Sequence, residues 1–337
     1  MRKFFFALLA TMVLLASCSK EKRSANTNDI KLEVSFERFD QDFWKLHEDT
    51  TLIASNLEAL HEKYPVWTED YLCRVLEFGR HYNDSFVLFI LPKFLSDTNV
   101  VAFYTDAMKA YEDMTDIEKD LVEAFKRARY FFPEIETPQC YTHISGLNQS
   151  VCVGEGYISV SIDNYMGSDY PIYQGRIYDY LLPNMRREMI LPDMIHAWME
   201  AEFPFYPQEG ELLEDMLYEG KLIYLTSILL PELPDSILMG YDASQLEWCQ
   251  KSEPAMWDKM VSEGHLFTHE SVMRSKYLNS APFTTPFTQS SPGRGGVYIG
   301  WRIIENYMSK NKEITPLELM KDTNYRKILE QSEYNPK

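Results

Sequence analysis

The sequence predicts a predominantly helical α+β fold, on three observations. Helix-period apolar stripes run through most of its 337 residues, one stretch between Gln139 and Asp163 switches to period two, and no internal repeat or low-complexity tract divides the chain. The amino-terminal half carries amphipathic stretches at Phe39–Leu46, Leu52–Lys63, Glu69–Phe78 and Ile117–Phe131, punctuated by Pro65, Pro92 and Pro133. In the central stretch, Ile158, Val160 and Ile162 alternate with small polar residues, which predicts two or three short strands. Helical periodicity then resumes over Tyr173–Leu181, Pro183–Glu202, Glu211–Leu229, Ser244–Gly264, Gly296–Lys310 and Pro316–Leu329.

The amino terminus has the order of an export signal. Arg2 and Lys3 precede the apolar run Phe4–Leu15, and small residues lead to a thiol in Leu15-Ala16-Ser17-Cys18. That apolar run is too short for a helix that must span the bilayer, which takes roughly 20 residues. Residues 1–17 therefore read as a lipoprotein signal peptide, and Cys18 as the residue that takes diacylglycerol on sulfur and, after cleavage, a fatty acid such as palmitate on its new amino group. Several acyl chains give stable anchoring where one is marginal. Residues 18–33 are expected to form a flexible tether, Ser19–Asp29 being polar and free of aromatics, and residues 34–333 a single domain. Ser19, where an aspartate would have argued for retention in the inner membrane, favours the outer membrane, with the domain facing the periplasm.

Losing residues 1–17 leaves 320 of the 337 and, with Arg2 and Lys3 gone, takes the formal charge from −18 to −20. A surface that acidic argues against nucleic acid and against direct adhesion to anionic lipid. Beyond Cys18 the cysteines are Cys73, Cys140, Cys152 and Cys249, with no CxxC or zinc-ribbon spacing. Cys140 and Cys152 flank a turn signal at Ser145–Asn148, so a hairpin disulfide is one reading and four buried free thiols the other.

Two predicted helices carry chemistry-bearing residues. In zinc peptidases a helix bearing His-Glu-x-x-His presents two imidazoles one turn apart, the glutamate acts as general base, and a third ligand comes from a later helix. Here Pro192-Asp193-Met194-Ile195-His196 keeps the frame and loses the chemistry: Pro192 has no donor atom, Asp193 is a shorter carboxylate, and His196 alone remains. Glu219 shares a helical face with Leu212, Met216 and Ile223 and is expected to point inward, where a carboxylate must be paired, hydrogen-bonded or metal-bound. Asp193, His196 and Glu200 form one stripe, which is either a solvated face or, joined by Glu219, a metal site. Ser291-Pro292-Gly293-Arg294-Gly295-Gly296 opens the next helix, either as an anion cradle or as a close-packed turn. It lacks the Gly-Lys-Ser/Thr of a phosphate loop, and no Gly-x-Ser-x-Gly occurs anywhere. The candidate cleft set is Asp193, His196, Glu219, Lys221, Arg294 and Trp301, with no metal, cofactor or catalytic residue assigned.

As a set, Phe36-Glu37-Arg38-Phe39-Asp40, Met216–Tyr224, Leu229-Leu230-Pro231, Leu246-Glu247-Trp248-Cys249, Ala281-Pro282-Phe283, Ser291–Arg294 and Gly300-Trp301 resemble the gliding-motility lipoprotein GldB family of Bacteroidota. The resemblance covers essentially the whole mature chain and is densest from residue 212 onward. It implies an envelope lipoprotein whose partners belong to gliding and secretion machinery, and a zinc-metallopeptidase-like fold with a degenerate active site. Family members generally lack an intact His-Glu-x-x-His, so the resemblance implies a binding or assembly role in place of catalysis. The alternative is a metal-dependent hydrolase with an atypical Asp193, His196 and Glu219 site.

Overall fold

The computed structural model describes residues 24–337; the leader, Cys18 and the tether up to Arg23 lie outside them. Residues 24–35 run along the surface, turning at Asn28–Asp29, with Ala25, Thr27, Ile30, Leu32 and Val34 half-buried and Leu32 and Val34 packed on the core. The expected tether at 18–33 is therefore laid against the fold over its described part, because alternate apolar side chains give an extended segment a face to bury.

The amino-terminal half begins with β1 (Phe36–Glu37) and α1 (Phe39–Trp44), followed by α2 (Ile53–Lys63), α3 (Pro65–Asp70), α4 (Ser85–Leu95), α5 (Thr98–Ala110) and α6 (Thr115–Phe131). Buried Phe39, Phe43, Trp67, Tyr71 and Tyr104 make a continuous aromatic cluster, with edge-on contacts such as Phe39–Tyr71 at 5.0 Å and Phe43–Tyr71 at 4.9 Å. The predicted stretch Glu69–Phe78 is the end of α3 running into a π-helical turn, Tyr71–Val75. Pro92, expected to punctuate, lies inside α4, and the helix runs on only to Leu95.

The sheet comprises β1, β2 (Gln139–His143), β3 (Val151–Gly154) and β4 (Tyr157–Ser161), in the order β1-β2-β4-β3. β1 and β2 are parallel, β2 and β4 are parallel, and only β3 and β4 form a hairpin. β4 is buried throughout. Its period-two pattern thus marks a strand covered on both faces, whose serines are satisfied inside: Ser159 pairs with His143 Nδ1 at 2.7 Å, and the Ser161 hydroxyl donates to Asp163. The order also corrects the hairpin-disulfide reading. Because β4 lies between β2 and β3, Cys140 and Cys152 sit two strands apart, about 10 Å, too far for a bridge. All four cysteines among the described residues are free, with Cys140 and Cys249 buried and Cys73 and Cys152 half-buried. The Ser145–Asn148 segment is a loop passing beneath β4, held by Asp163, whose carboxylate accepts the Ser145 and Leu147 amides at 3.0 and 2.9 Å.

The carboxyl-terminal half comprises α7 (Ile190–Glu202), α8 (Leu212–Leu229), α9 (Asp235–Met239), α10 (Ala243–Ser262), α11 (Ser271–Leu278), α12 (Gly295–Lys310), α13 (Pro316–Lys321) and α14 (Tyr325–Ser332). The predicted helix Tyr173–Leu181 is absent: a short 3-10 turn at Pro171–Tyr173 gives way at Gly175, which takes a left-handed φ of 72°. The predicted Pro183–Glu202 helix begins only at Ile190, after two 3-10 turns. Pro316–Leu329 is broken at Asp322–Asn324, where the Asn324 side chain accepts the Lys327 amide and starts α14. At the centre stands α8, apolar almost all round and packed by α6, α7, α11, α12 and α14, as a fully interior helix must be.

Candidate functional site

Every residue of α8 is buried except Glu219. Its helical periodicity was read as one inward face, but the helix has no solvated face at all, and Glu219 opens onto a cleft with its side chain 30 % exposed. Of the α7 stripe, Glu200 lines this cleft. Asp193, on the first turn, accepts a hydrogen bond of 2.8 Å from the Tyr165 hydroxyl, and burial pushes its carboxyl up to about 6. One turn on, His196 Nε2 lies 3.9 Å from Glu219 Oε2. Burial, and then the Arg294 charge, push this imidazole down to about 4, so it is neutral at pH 7.

Arg294 reaches the same carboxylate oxygen, with Nη2 3.8 Å from Glu219 Oε2 and Nη1 donating to the Met239 carbonyl at 3.3 Å. It is the N-cap of α12 and holds a left-handed φ of 57°. The glycines around it pack closely. A Cβ on Gly293 would overlap the Ala281 backbone, and one on Gly296 would stand 2.9 Å from Tyr277 Cβ. The Gly295 amide already donates to Thr284 Oγ1 at 2.9 Å. Of the two readings of this segment, the structure shows the close-packed turn.

Next to this cluster a cleft of about 360 Å³ is lined by Glu200, Phe205, Asp215, Tyr218, Glu219 and Arg274. Asp215 pairs with Arg274 at 2.8 Å. Glu219 is raised from its ordinary value chiefly by burial, and Arg294 works against that rise.

The candidate set therefore divides. Asp193, His196, Glu219 and Arg294 converge. Lys221 does not: its ammonium is buried, donates to the Asp322 carbonyl at 2.7 Å and lies 4.7 Å from the Tyr325 ring centroid, among the carboxyl-terminal helices. Nor does Trp301, which is buried in the core with its indole N–H unpartnered. The sequence reading missed Arg274, because Ser271–Leu278 has no clear apolar period. It also missed Tyr165, which ends the 3-10 turn Ile162–Tyr165 directly after β4. Glu214, on the same helix, is structural and accepts the Gln208, Glu209 and Gly210 amides.

Comparison with known families yields a match to the one described as gliding motility protein GldB, over residues 20–336. The chain belongs to that family. No curated protein and no solved structure matches.

A zinc ion, which a site built on Asp193, His196 and Glu219 would have to hold, does not fit these side chains. Asp193 is committed to Tyr165, and a cation on Glu219 would face the Arg294 guanidinium across 3.8 Å. Among the described residues no group of three His, Cys, Asp or Glu side chains is placed to hold a metal.

Proposed function

We propose that this GldB-family chain is a lipid-anchored envelope lipoprotein of gliding or secretion machinery, whose single domain, residues 34–333, serves as a non-catalytic binding or assembly component. It is anchored at Cys18, sits at the outer membrane and faces the periplasm. Family membership supports the gliding-motility and lipoprotein parts of this reading. The peptidase-like frame enters as two facing helices that have exchanged metal ligands for an arginine.

The observation that carries the binding role is the carboxylate of Glu219. It is the one non-buried position of an interior helix, and its contacts with His196 and Arg294, at 3.9 and 3.8 Å, are too long for hydrogen bonds. A partner's donor can therefore still engage it. With Glu200 and Asp215 nearby and Phe205 and Tyr218 as apolar walls, the cleft suits a basic side chain on a protein segment.

Mild crosslinking in intact envelopes, followed by recovery of wild-type and Glu219→Lys protein, tests this. The reading predicts a partner captured by wild type and lost with the charge reversal; undiminished capture sinks it. A second reading, binding through the amino-terminal helices, is favoured by Phe86 and Phe89, 57 % and 58 % exposed on α4. In that case Phe86→Ser abolishes capture and Glu219→Lys does not.

A further inference from the structure

Where the described chain begins, relative to the cleft, constrains how the domain stands on its membrane. Ser24 lies at a groove of about 830 Å³ between the carboxyl-terminal parts of α8 and α12 and the chain's last residues, with Tyr224, Ile228, Asn306, Ser309 and Tyr334 among its walls. The two helices run side by side in the same direction. Gly220 is pressed against Gly300, the Glu219 and Arg294 side chains meet toward the amino-terminal end of the pair, and Ile228 and Ser309 line the groove at the other. Nine residues of α8 separate Glu219 in the cleft from Ile228 in the groove, about 13 Å along the helix.

The arm that joins Ser24 to the lipidated residue is short. Six Cα steps from Cys18 to Ser24 reach at most about 22 Å, and the strap from residue 24 to Val34, packed on the domain, adds no slack. The arm's charges are Lys20, Glu21, Lys22 and Arg23, whereas residues 24–337 hold 28 of the 33 Lys and Arg and 50 of the 51 Asp and Glu, a net charge of −22. Basic residues beside an anionic headgroup layer are attracted to it, and an acidic body is held off.

We propose that the anchor holds the domain end-on, with the carboxyl-terminal ends of α8 and α12 toward the lipid bilayer and the Glu219 cleft turned away, presented to a partner in the aqueous compartment. This rests on lipidation at Cys18. It makes the Ser24 groove the membrane-proximal face and leaves the Glu219 carboxylate about 13 Å of helix farther from the lipid than Ile228.

The test uses full-length lipidated protein in vesicles of phosphatidylethanolamine and phosphatidylglycerol, with Cys73→Ala and Cys152→Ala removing the half-buried thiols. A fluorophore is placed at Ser309→Cys, beside the groove, or at Ser275→Cys, beside the cleft; both positions are exposed. Energy transfer to acceptor-labelled headgroups is expected to be several-fold stronger from position 309. Equal transfer, or stronger transfer from 275, overturns the orientation. Flotation with the vesicles separates the two claims. Protein that floats, and stops floating with Cys18→Ala, upholds the anchor whatever the labels report. Protein that fails to float overturns the anchor, and the orientation falls with it.

Discussion

Gly300 of α12 rests on the backbone of α8 at Gly220, so closely that a Cβ on Gly300 would overlap the Met216 carbonyl oxygen and one on Gly220 would overlap the Gly300 carbonyl carbon. Both obstacles are backbone, so neither can swing aside. The contact also fixes Glu219, the residue beside Gly220, relative to Arg294 at the start of α12. Gly300→Ala should therefore destabilise the domain by about 3 kcal/mol, as read from urea unfolding. An unchanged midpoint would show that the two helices separate more easily than their packing implies.

Lys221 gives a basic-side signature. Burial pushes its ammonium down to about 8, against an ordinary value of 10.5. Between those limits the unfolded chain holds a proton that the folded chain has released, so the Lys221 contribution to stability rises with pH, by about 2 kcal/mol from pH 8 to 10. The buried thiols and tyrosines are pushed up in the fold and work the other way, so the effect is read as a difference between two proteins. Over that range wild type should gain about 2 kcal/mol on Lys221→Met, and parallel profiles contradict the buried ammonium.

His196 and Asp193 act oppositely on the acid side. The unfolded histidine takes its proton near 6.5 and the folded one only near 4, so His196 removes stability as pH falls through that window. Asp193, raised to about 6, protonates first in the folded state and returns stability between pH 6 and 3.8. Thermal melts from pH 7 to 4 should show His196→Gln gaining on wild type as acid is added and Asp193→Asn losing ground. Parallel curves for all three proteins would mean neither group is buried as described.

Arg294 separates stability from recognition. Its left-handed backbone costs about 1–2 kcal/mol in a non-glycine residue, and its side chain makes one long hydrogen bond and one long ion pair. Arg294→Gly should leave stability within about 1 kcal/mol of wild type while changing what the cleft captures. A large loss of stability would make Arg294 a structural brace.

The long helices were legible where one face was apolar or a cap was strong, as in Ala243–Ser262, whose Asp242 and Gln245 form a reciprocal capping box. The three strands between Gln139 and Asp163 were legible as well, but β1 at Phe36–Glu37 was not, and neither was the strand order, which rests on pairing between β1 and β2, 102 residues or more apart, that leaves no periodic signal. In the site, the absence of a His-Glu-x-x-His pair was readable from Pro192, Asp193 and His196 alone. That Arg294 stands opposite Glu219 was not, since it comes from a turn 75 residues away in sequence. Lys221 and Trp301 were misplaced because proximity to Glu219 and Gly300 in sequence says nothing about which side of a fully buried helix a residue takes.

The central claim is that an arginine stands where a metal would have to be. Elemental analysis of the protein purified without chelators, then dialysed against micromolar zinc, measures it most directly. The account predicts no stoichiometric zinc in wild type, in Glu219→Ala or in Arg294→Ala. One equivalent of zinc in the wild type that disappears with Glu219→Ala would contradict it.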